Sequence, residues 1–310
     1  MDRDAYIFHA PTLDPADALV RLVAFMGLDP DNPFRAFLDR GDTVVVKPNL
    51  VHHRHYGGGR LEWVITDPAL VRAVCEFAFL AVGTSGRVIV GDAPLQSADW
   101  GQLMRATGLG ALPDHYRRHG YDCTLADFRT VATTDSGGFK HHARELAGDP
   151  NGYRGVNLGR HSLHSGRPWR RFRVTNYDPH TMTVHHNEDR HEYLVAGSVL
   201  QADAVINLAK LKTHRKAGLT CALKNMVGVN GSKDWLPHHT AGGGDKGGDE
   251  YPASGATWQR LSSWIVEREE TAGSVAGKLA LHAARKLIHK AGASLSDDPS
   301  SEGSWYGNDT

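Results

Sequence analysis

The stretch "DTVVVKPNLV" (42–51) decides the fold of this sequence. Its short β-branched run ends at Pro and Asn, which is the pattern of a buried strand. The stretch "DPALVRAVCEFAFLAVG" (67–83) follows, with Asp and Pro at its start, apolar residues at helical spacing and Gly at its end, so it predicts a helix. A second buried-strand pattern, "GRVIVGDAP" (86–94), comes next. This strand, helix and strand predict a right-handed parallel crossover.

The pattern continues on the C-terminal side of this unit. The stretch "SADWGQLMRATG" predicts a second helix and "YDCTLADF" a further strand. After a long interval, "ADAVINLA" (202–209) again has the composition of a buried strand. The sequence therefore predicts an α/β fold, with a mainly parallel open sheet and flanking helices.

The interval at about 129–193 is rich in Gly, Arg, His and Thr and predicts a β-rich insertion. Within it, "RRFRVTNYDPHTMTVHH" (170–186) alternates as an antiparallel hairpin does, with "DPH" as the turn. We predict one α/β domain over 1–252 that carries this insertion, and a helical segment with a loop-like tail over 253–310. The tail ends on "WYGNDT", and because aromatic pairs usually pack on something, we expect the chain to be a piece of a longer product.

The composition excludes several classes of function. Lys plus Arg and Asp plus Glu both number 35, and the pI is about 7.4, which argues against a general nucleic-acid or anionic-membrane binder. No run of about 18 apolar residues is present, so we expect no membrane span. The cysteines at 75, 123 and 221 are too scattered for a disulfide framework or a CxxC site, which favours a cytoplasmic protein. Histidine is abundant, with 19 copies, so metal binding or acid–base chemistry deserves a test.

Polar side chains follow each predicted strand. Ligands of open parallel sheets bind beyond the carboxyl ends of the strands, so these side chains are candidates for a site. They are Lys47 and Asn49 after the first strand, Asp92 after the second, and Lys210, Lys212 and His214 after the last. If the last strand continues, its two lysines and His214 share one face. The lysines would then repel each other unless an anion or a carboxylate such as Asp92 lies among them.

The segment "GLTCALKNMVG" (218–228) is compatible with a short helix. Thr220 would cap it, Gly228 would end it, and Thr220 and Lys224 would lie one turn apart on the same face. Such a helix start suits a phosphate or a carboxylate. The predicted anion site comprises Lys47, Asn49, Lys210, Thr220, Lys224 and Asn225. Strand-end lysines that are simply solvated are the alternative, and neither a P-loop nor a dinucleotide fingerprint is present.

The segment "NGSKDWLPHHTAGGGDKGGDEYP" (230–252) is the other dense stretch of polar residues. Its histidines and acids could enter the shell of a divalent metal ion or form a lid over a ligand. The candidate metal ligands are His238, His239 and Asp249, together with Asp92. A solvent-exposed glycine-rich loop is the alternative, because adjacent histidines rarely ligate one ion together.

The ordered motifs "VVVKPNLV", "TDPALVRAV", "VIVGDAP", "ADAVINLAKLKTH" and "GLTCALKNMVG" resemble those of the domain-of-unknown-function family 362. The resemblance covers about 42–252 and implies that these residues match the family's motif positions: Lys47, Asn49, Asp92, Lys210, Lys212, His214, Lys224 and Asn225. With "RVTNYD" and "LPHH", the chain looks like the branch that lacks a ferredoxin-like segment and is often found near bacterial polysaccharide genes.

Three hypotheses for the function remain open at the level of sequence. The first is a metal-assisted enzyme in which lysines and asparagines hold a small anionic substrate, His214 and Lys212 are catalytic, and Asp92 and the C-terminal histidines bind the metal. The second is a non-catalytic binding protein for a phosphorylated or carboxylated metabolite. The third is a redox protein that works with an external iron–sulfur partner. The sequence does not define the reaction or the oligomeric state.

Overall fold

The computed structural model describes residues 14–55, 57–136, 139–174, 179–214, 218–244, 247–250, 260–261, 264–265, 268 and 272–295. The chain divides into two compact units. The first, here called the sheet unit, comprises described residues of 14–154, 195–213 and 219–231. The second unit comprises described residues of 155–194, 214, 218 and 232–295. The predicted boundary at residue 252 falls outside the described residues and stays a prediction.

The described strands are β1 (Thr43–Pro48), β2 (Arg87–Asp92), β3 (Asp122–Asp127), β4 (Val131–Ser136), β5 (Phe139–Glu145), β6 (Tyr153–Asn157), β7 (Phe172–Arg173), β8 (Glu192–Ala196), β9 (Ala204–Leu208), β10 (Lys212–His214), β11 (Gly218–Thr220) and β12 (His239–Thr240). The described α-helices are α1 (Pro15–Phe25), α2 (Pro68–Val82), α3 (Trp100–Thr107), α4 (Leu112–Arg118), α5 (Pro179–His185), α6 (Gly197–Gln201), α7 (Ala222–Asn225) and α8 (Val275–Leu295). None of the helices in these ranges is long and apolar enough to cross a bilayer.

The centre of the sheet unit is a four-stranded parallel sheet in the order β3-β2-β1-β9. Both faces of β1 are buried: Val44 and Val46 belong to one apolar core, and Val45 belongs to another. This explains why the strand is a continuous apolar run rather than an alternating one. The predicted α/β class and mainly parallel sheet are confirmed.

The helix between β1 and β2 has the predicted ends. The carboxylate of Asp67 accepts a hydrogen bond from the amide of Ala69 at 2.8 Å, and Pro68 occupies the first turn. Gly83 ends α2 with a φ of 70°, a conformation that favours glycine. The helix therefore returns the chain to the start of β2, as a parallel crossover requires.

The predicted insertion contains strands, but the hairpin predicted over 170–186 is wrong. Its first arm, β7, pairs with β12, and α5 replaces the second arm. Pro179 is compatible with the first turn of a helix, and the helical spacing of four residues buries both Met182 and His186 completely. The antiparallel hairpin of this region is formed instead by β4 and β5. Residues 175–178 lie outside the described residues, as do the tail at 296–310 and Asp245.

Candidate functional site

The order of strands in the sheet reverses at β1. β2 lies on one side of β1 and is reached through α2, whereas β9 lies on the other side and follows the insertion. Ligands of open α/β sheets bind at such a reversal, beyond the carboxyl ends of the strands. Here these ends bring Lys47 opposite Asn207 and Pro48 opposite Leu208. The predicted strand-end residues therefore lie at the position where a ligand site is expected.

Lys47 and Asp92 form a buried ion pair at this edge. The Nζ atom of Lys47 lies 2.7 Å from an Asp92 carboxylate oxygen, and the two residues are 0% and 3% exposed. The ammonium group also donates to the Pro48 carbonyl at 2.7 Å and to Oδ1 of Asn225 at 3.2 Å. The other Asp92 oxygen accepts a hydrogen bond from the Leu50 amide at 2.6 Å. Both side chains therefore have a structural role, while substrate binding by Lys47 and metal binding by Asp92 stay predictions.

Asn225 connects α7 to two strands of the sheet. Its Nδ2 atom donates to the Lys47 carbonyl at 3.0 Å and to Oδ1 of Asn207 at 2.7 Å. Asn207 in turn donates to the carbonyl of Ala222 at 2.9 Å. Sequence reasoning missed Asn207, although a polar residue near the end of an otherwise apolar strand was a usable signal. The network fixes both ends of α7 against the carboxyl ends of β1 and β9.

Gly228 closes the ion pair from the other side. A Cβ atom at this position would lie 2.0 Å from an Asp92 oxygen and 2.7 Å from Nζ of Lys47, so the site has room only for glycine. The carbonyl of Gly228 accepts a hydrogen bond from the amide of Ala93 at 2.8 Å. The sequence indicated Gly228 only as the end of a helix. The spacing of residues along the chain does not reveal that Gly228 packs against the side chains of Asp92 and Lys47.

Lys212 differs from Lys47 because it is only partly buried. Its Nζ atom donates to Oδ1 of Asn49 at 2.8 Å and to the Val64 carbonyl at 2.6 Å. The pKa of Lys212 is lowered to about 8, chiefly by burial; the negative charge of Asp92 opposes this shift, and the positive charges of Lys210 and Lys224 add to it. The structure thus brings together one predicted catalytic residue with several predicted binding residues.

Thr66 is a second residue that sequence reasoning missed. Its hydroxyl donates to the Leu208 carbonyl at 2.6 Å and accepts a hydrogen bond from the Asn49 amide at 2.8 Å. Thr66 thereby joins the loop after β1 to the end of β9. β9 ends at Leu208, and Lys210 lies outside any strand, so the predicted strand face that includes Lys210 is wrong. Only Lys212 and His214 lie on β10.

The predicted helix cap at Thr220 is wrong. Thr220 ends β11, and α7 begins after Cys221 without a hydrogen bond from a capping side chain. Gly218, the first residue of β11, has a φ of 70°, a conformation that favours glycine, and β11 pairs with β10. Thr220 is 2% exposed, and its hydroxyl has no hydrogen-bond partner among the described atoms.

The other predicted metal ligands belong to the second unit. His239 is buried in β12, and His238 is partly buried and donates from Nδ1 to the Leu236 carbonyl at 3.0 Å. Oδ1 of Asp249 accepts a hydrogen bond from the Thr240 amide at 2.5 Å. Across the described ranges, no group of three or more His, Cys, Asp or Glu residues already stands in metal-binding geometry. Metal binding by these residues stays a prediction.

The parallel sheet and the polar network at its strand reversal define an α/β protein with a polar site at the carboxyl edge of the sheet. The family described as Domain of unknown function (DUF362) matches residues 44–147 and 163–296, and these ranges include every residue of the predicted site. The chain belongs to this family, as its motifs predicted. Neither a comparison with curated proteins nor one with solved structures found a match.

Proposed function

We propose that the carboxyl edge of the sheet unit is an enzyme active site for a small phosphorylated or carboxylated substrate. The observation that carries this proposal is the environment of Lys212, which is partly buried, has a pKa lowered to about 8 and lies in the field of Asp92, Lys210 and Lys224. An anion bound there would relieve the repulsion among the lysines. A lysine whose pKa is this close to neutrality can also accept and return a proton during a reaction.

The residues of the site divide into binding and positioning groups. Lys210, Lys224 and the unpartnered hydroxyl of Thr220 are the groups proposed to bind the anion, together with Lys212 in its protonated form. Lys47 and Asn225 hydrogen-bond to each other and to the backbone, so they position α7 and with it Lys224. Asn49 orients the ammonium group of Lys212 through the hydrogen bond of 2.8 Å.

Acid–base chemistry is assigned to Lys212, while a catalytic role of His214 stays a prediction from the sequence. Assistance by a divalent metal is the less supported part of the proposal, because both oxygens of Asp92 already have partners. An ion bound by Asp92 would have to replace the ammonium group of Lys47. A metal bound through His238, His239 and Asp249 is retained as a separate element to be tested by metal analysis.

The substrate class and the cellular setting are proposed on other grounds. The resemblance to relatives near bacterial polysaccharide genes favours a sugar phosphate or a nucleotide sugar as the anionic substrate. The scattered cysteines favour the cytoplasm. Inorganic phosphate, a sugar phosphate, a nucleotide sugar and a hydroxy acid therefore form the first set of probes for a thermal-shift screen.

Lys212→Met is the variant that tests the proposal, with Lys286→Met on α8 as the matched control. By calorimetry, we expect the Lys212 variant to bind the selected anion at least about tenfold more weakly, because a hydrogen bond to a charged group contributes about 1.5–3 kcal/mol. We also expect the wild-type affinity to fall as pH rises through about 8, since Lys212 then loses its proton, and the variant to lack this dependence.

Equal binding by Lys212→Met and the wild-type protein would contradict the assignment of Lys212. Turnover of the bound probe distinguishes an enzyme from a binding protein, since both use the same anion site. If the anion raises the melting temperature but is recovered unchanged, the non-catalytic alternative is correct.

A further inference from the structure

Three histidines of the second unit, His164, His186 and His191, lie close together. They are distant in sequence from the predicted metal ligands His238, His239 and Asp249. The Nδ1 atoms of His186 and His191 face each other at 3.4 Å. The ring centroid of His164 lies 5.7 Å from that of His186 and 6.1 Å from that of His191. His186 and His191 are 0% and 3% exposed. This set, here called the histidine cluster, has no role in the function proposed above.

The spacing of the two facing nitrogens is that of ligands on one metal ion. Imidazole nitrogens bind Zn²⁺ at about 2.0–2.1 Å, so two of them at a tetrahedral angle are about 3.3 Å apart. The observed separation of 3.4 Å matches this distance. A hydrogen bond between two neutral imidazoles is the simpler explanation, but 3.4 Å is long for such a bond.

Packing holds the two rings in this arrangement. His186 and His191 are paired as an isolated antiparallel bridge, which brings the end of α5 beside the start of β8. The amide of His191 donates to Oδ1 of Asn157 at 3.0 Å. The ring of Tyr193 packs edge-on against His186 at 5.1 Å. These two ligand atoms are therefore positioned by the fold before any ion arrives, which reduces the entropic cost of binding.

We propose that His186, His191 and His164 bind a divalent transition metal ion of the zinc class. The Nδ1 atoms of His186 and His191 are already at the spacing of two zinc ligands. The ring of His164 lies farther away and must move about an ångström toward the other two rings to complete a tetrahedral arrangement. His164 is partly buried, and its ring centroid lies 5.0 Å from that of Phe172.

Three histidines leave one tetrahedral position for water, the arrangement of metal sites that keep an open coordination position. Imidazole ligands suit zinc, copper and nickel rather than magnesium or calcium. The site would therefore differ in ion preference from a carboxylate site for magnesium. Zn²⁺ is the probe for stoichiometry, and Co²⁺ is the probe for geometry because its visible absorption reports tetrahedral coordination.

The test uses the full chain after treatment with a chelator. Equilibrium dialysis against Zn²⁺ is expected to give one more tightly bound ion per chain for the wild-type protein than for His186→Ala or His191→Ala. A second histidine pair supplies the matched control, because His115 and His119 are exposed on and beside α4 with their rings 4.8 Å apart and could bind zinc at the surface. His119→Ala is expected to keep the tightly bound ion.

Absence of bound zinc in the wild-type protein, or its loss in His119→Ala and retention in His186→Ala, would overturn the proposal. If His186→Ala fails to fold, His164→Ala serves instead, since His164 is only partly buried. That variant is expected to bind zinc at least tenfold more weakly and to lose the tetrahedral Co²⁺ spectrum. Unchanged affinity and spectrum in a folded His164→Ala protein would show that three histidines do not share an ion.

Discussion

The carboxyl edge of the parallel sheet and the histidine cluster are both polar sites, but they are built differently. At the sheet edge, Lys47 and Asn225 come from segments 178 residues apart, and backbone and side-chain hydrogen bonds occupy their polar atoms. In the cluster, residues close in sequence are held by ring packing, and two nitrogens face each other directly. The difference shows that the ends of distant strands can hold one polar network, whereas the histidine cluster is assembled by ring packing within one part of the chain.

Removal of the Lys47 ammonium group is expected to have the largest effect on the sheet edge. Lys47→Met leaves the Asp92 carboxylate buried without its counter-ion, so the free energy of unfolding should fall by about 3–5 kcal/mol. Urea denaturation measures this change. Arg87→Met is the control, since the pair of Arg87 and Asp122 is about half exposed and should contribute less than about 1 kcal/mol. Equal losses in the two variants would contradict the structural role of Lys47.

Gly228→Ala tests whether the ion pair is as tightly enclosed as its contacts indicate. The added methyl group would overlap an Asp92 oxygen, so the pair must shift, and we expect a loss of about 1–3 kcal/mol of unfolding free energy. Gly273→Ala is the control because no atom lies within 4 Å of its added Cβ. If the Gly228 variant is as stable as the Gly273 variant, the packing around the ion pair can accept a methyl group, and the pair is not tightly enclosed.

The effect expected for His52, a buried histidine in the loop after β1, appears only as the pH falls. Burial, followed by the charge of His53, lowers the pKa of His52 to about 4, from 6.5 in the unfolded chain. The unfolded state therefore binds a proton that the folded state rejects, and stability is lost as pH falls from about 6.5 to 4, by at most about 1.4 kcal/mol per pH unit.

His52→Gln should flatten this dependence, measured as the unfolding free energy at several pH values in the presence of chelator. His119→Gln, at an exposed position after α4, serves for comparison. A slope for His52→Gln that equals that of the wild-type protein would assign the acid sensitivity to other groups. It would also show that buried histidines at the sheet edge contribute less than their burial implies.

Much of the sheet could be predicted because its signals are local. The apolar run of β1, the cap at Asp67 and the glycine at 83 each reflect a short-range requirement, and the structure meets all of them. The strand-end lysines could also be placed, since parallel strands end at a common edge.

The remaining features depend on contacts between residues distant in sequence, which the spacing of residue types along the chain does not reveal. The alternation in "PHTMTVHH" fits a strand as well as a helix, and burial of Met182 together with His186 favours the helix. Thr220 has the character of a cap, but a pairing with β10 places it in a strand. Gly228 is required only because Lys47 and Asp92 lie against it.

The reversal of strand order at β1 has a consequence for the time course of folding. Strands β1 to β3 follow one another along the chain, and the hydrogen bond between Leu50 and Asp92 spans only 42 residues. The bond between Lys47 and Asn225 spans 178 residues and must wait for β9 and α7. Long-range pairings form slowly because the chain loses the entropy of a long loop before the paired residues gain any favourable contact energy. On the ribosome, Lys47 and Asp92 are therefore expected to pair before β9 and α7 have been synthesised.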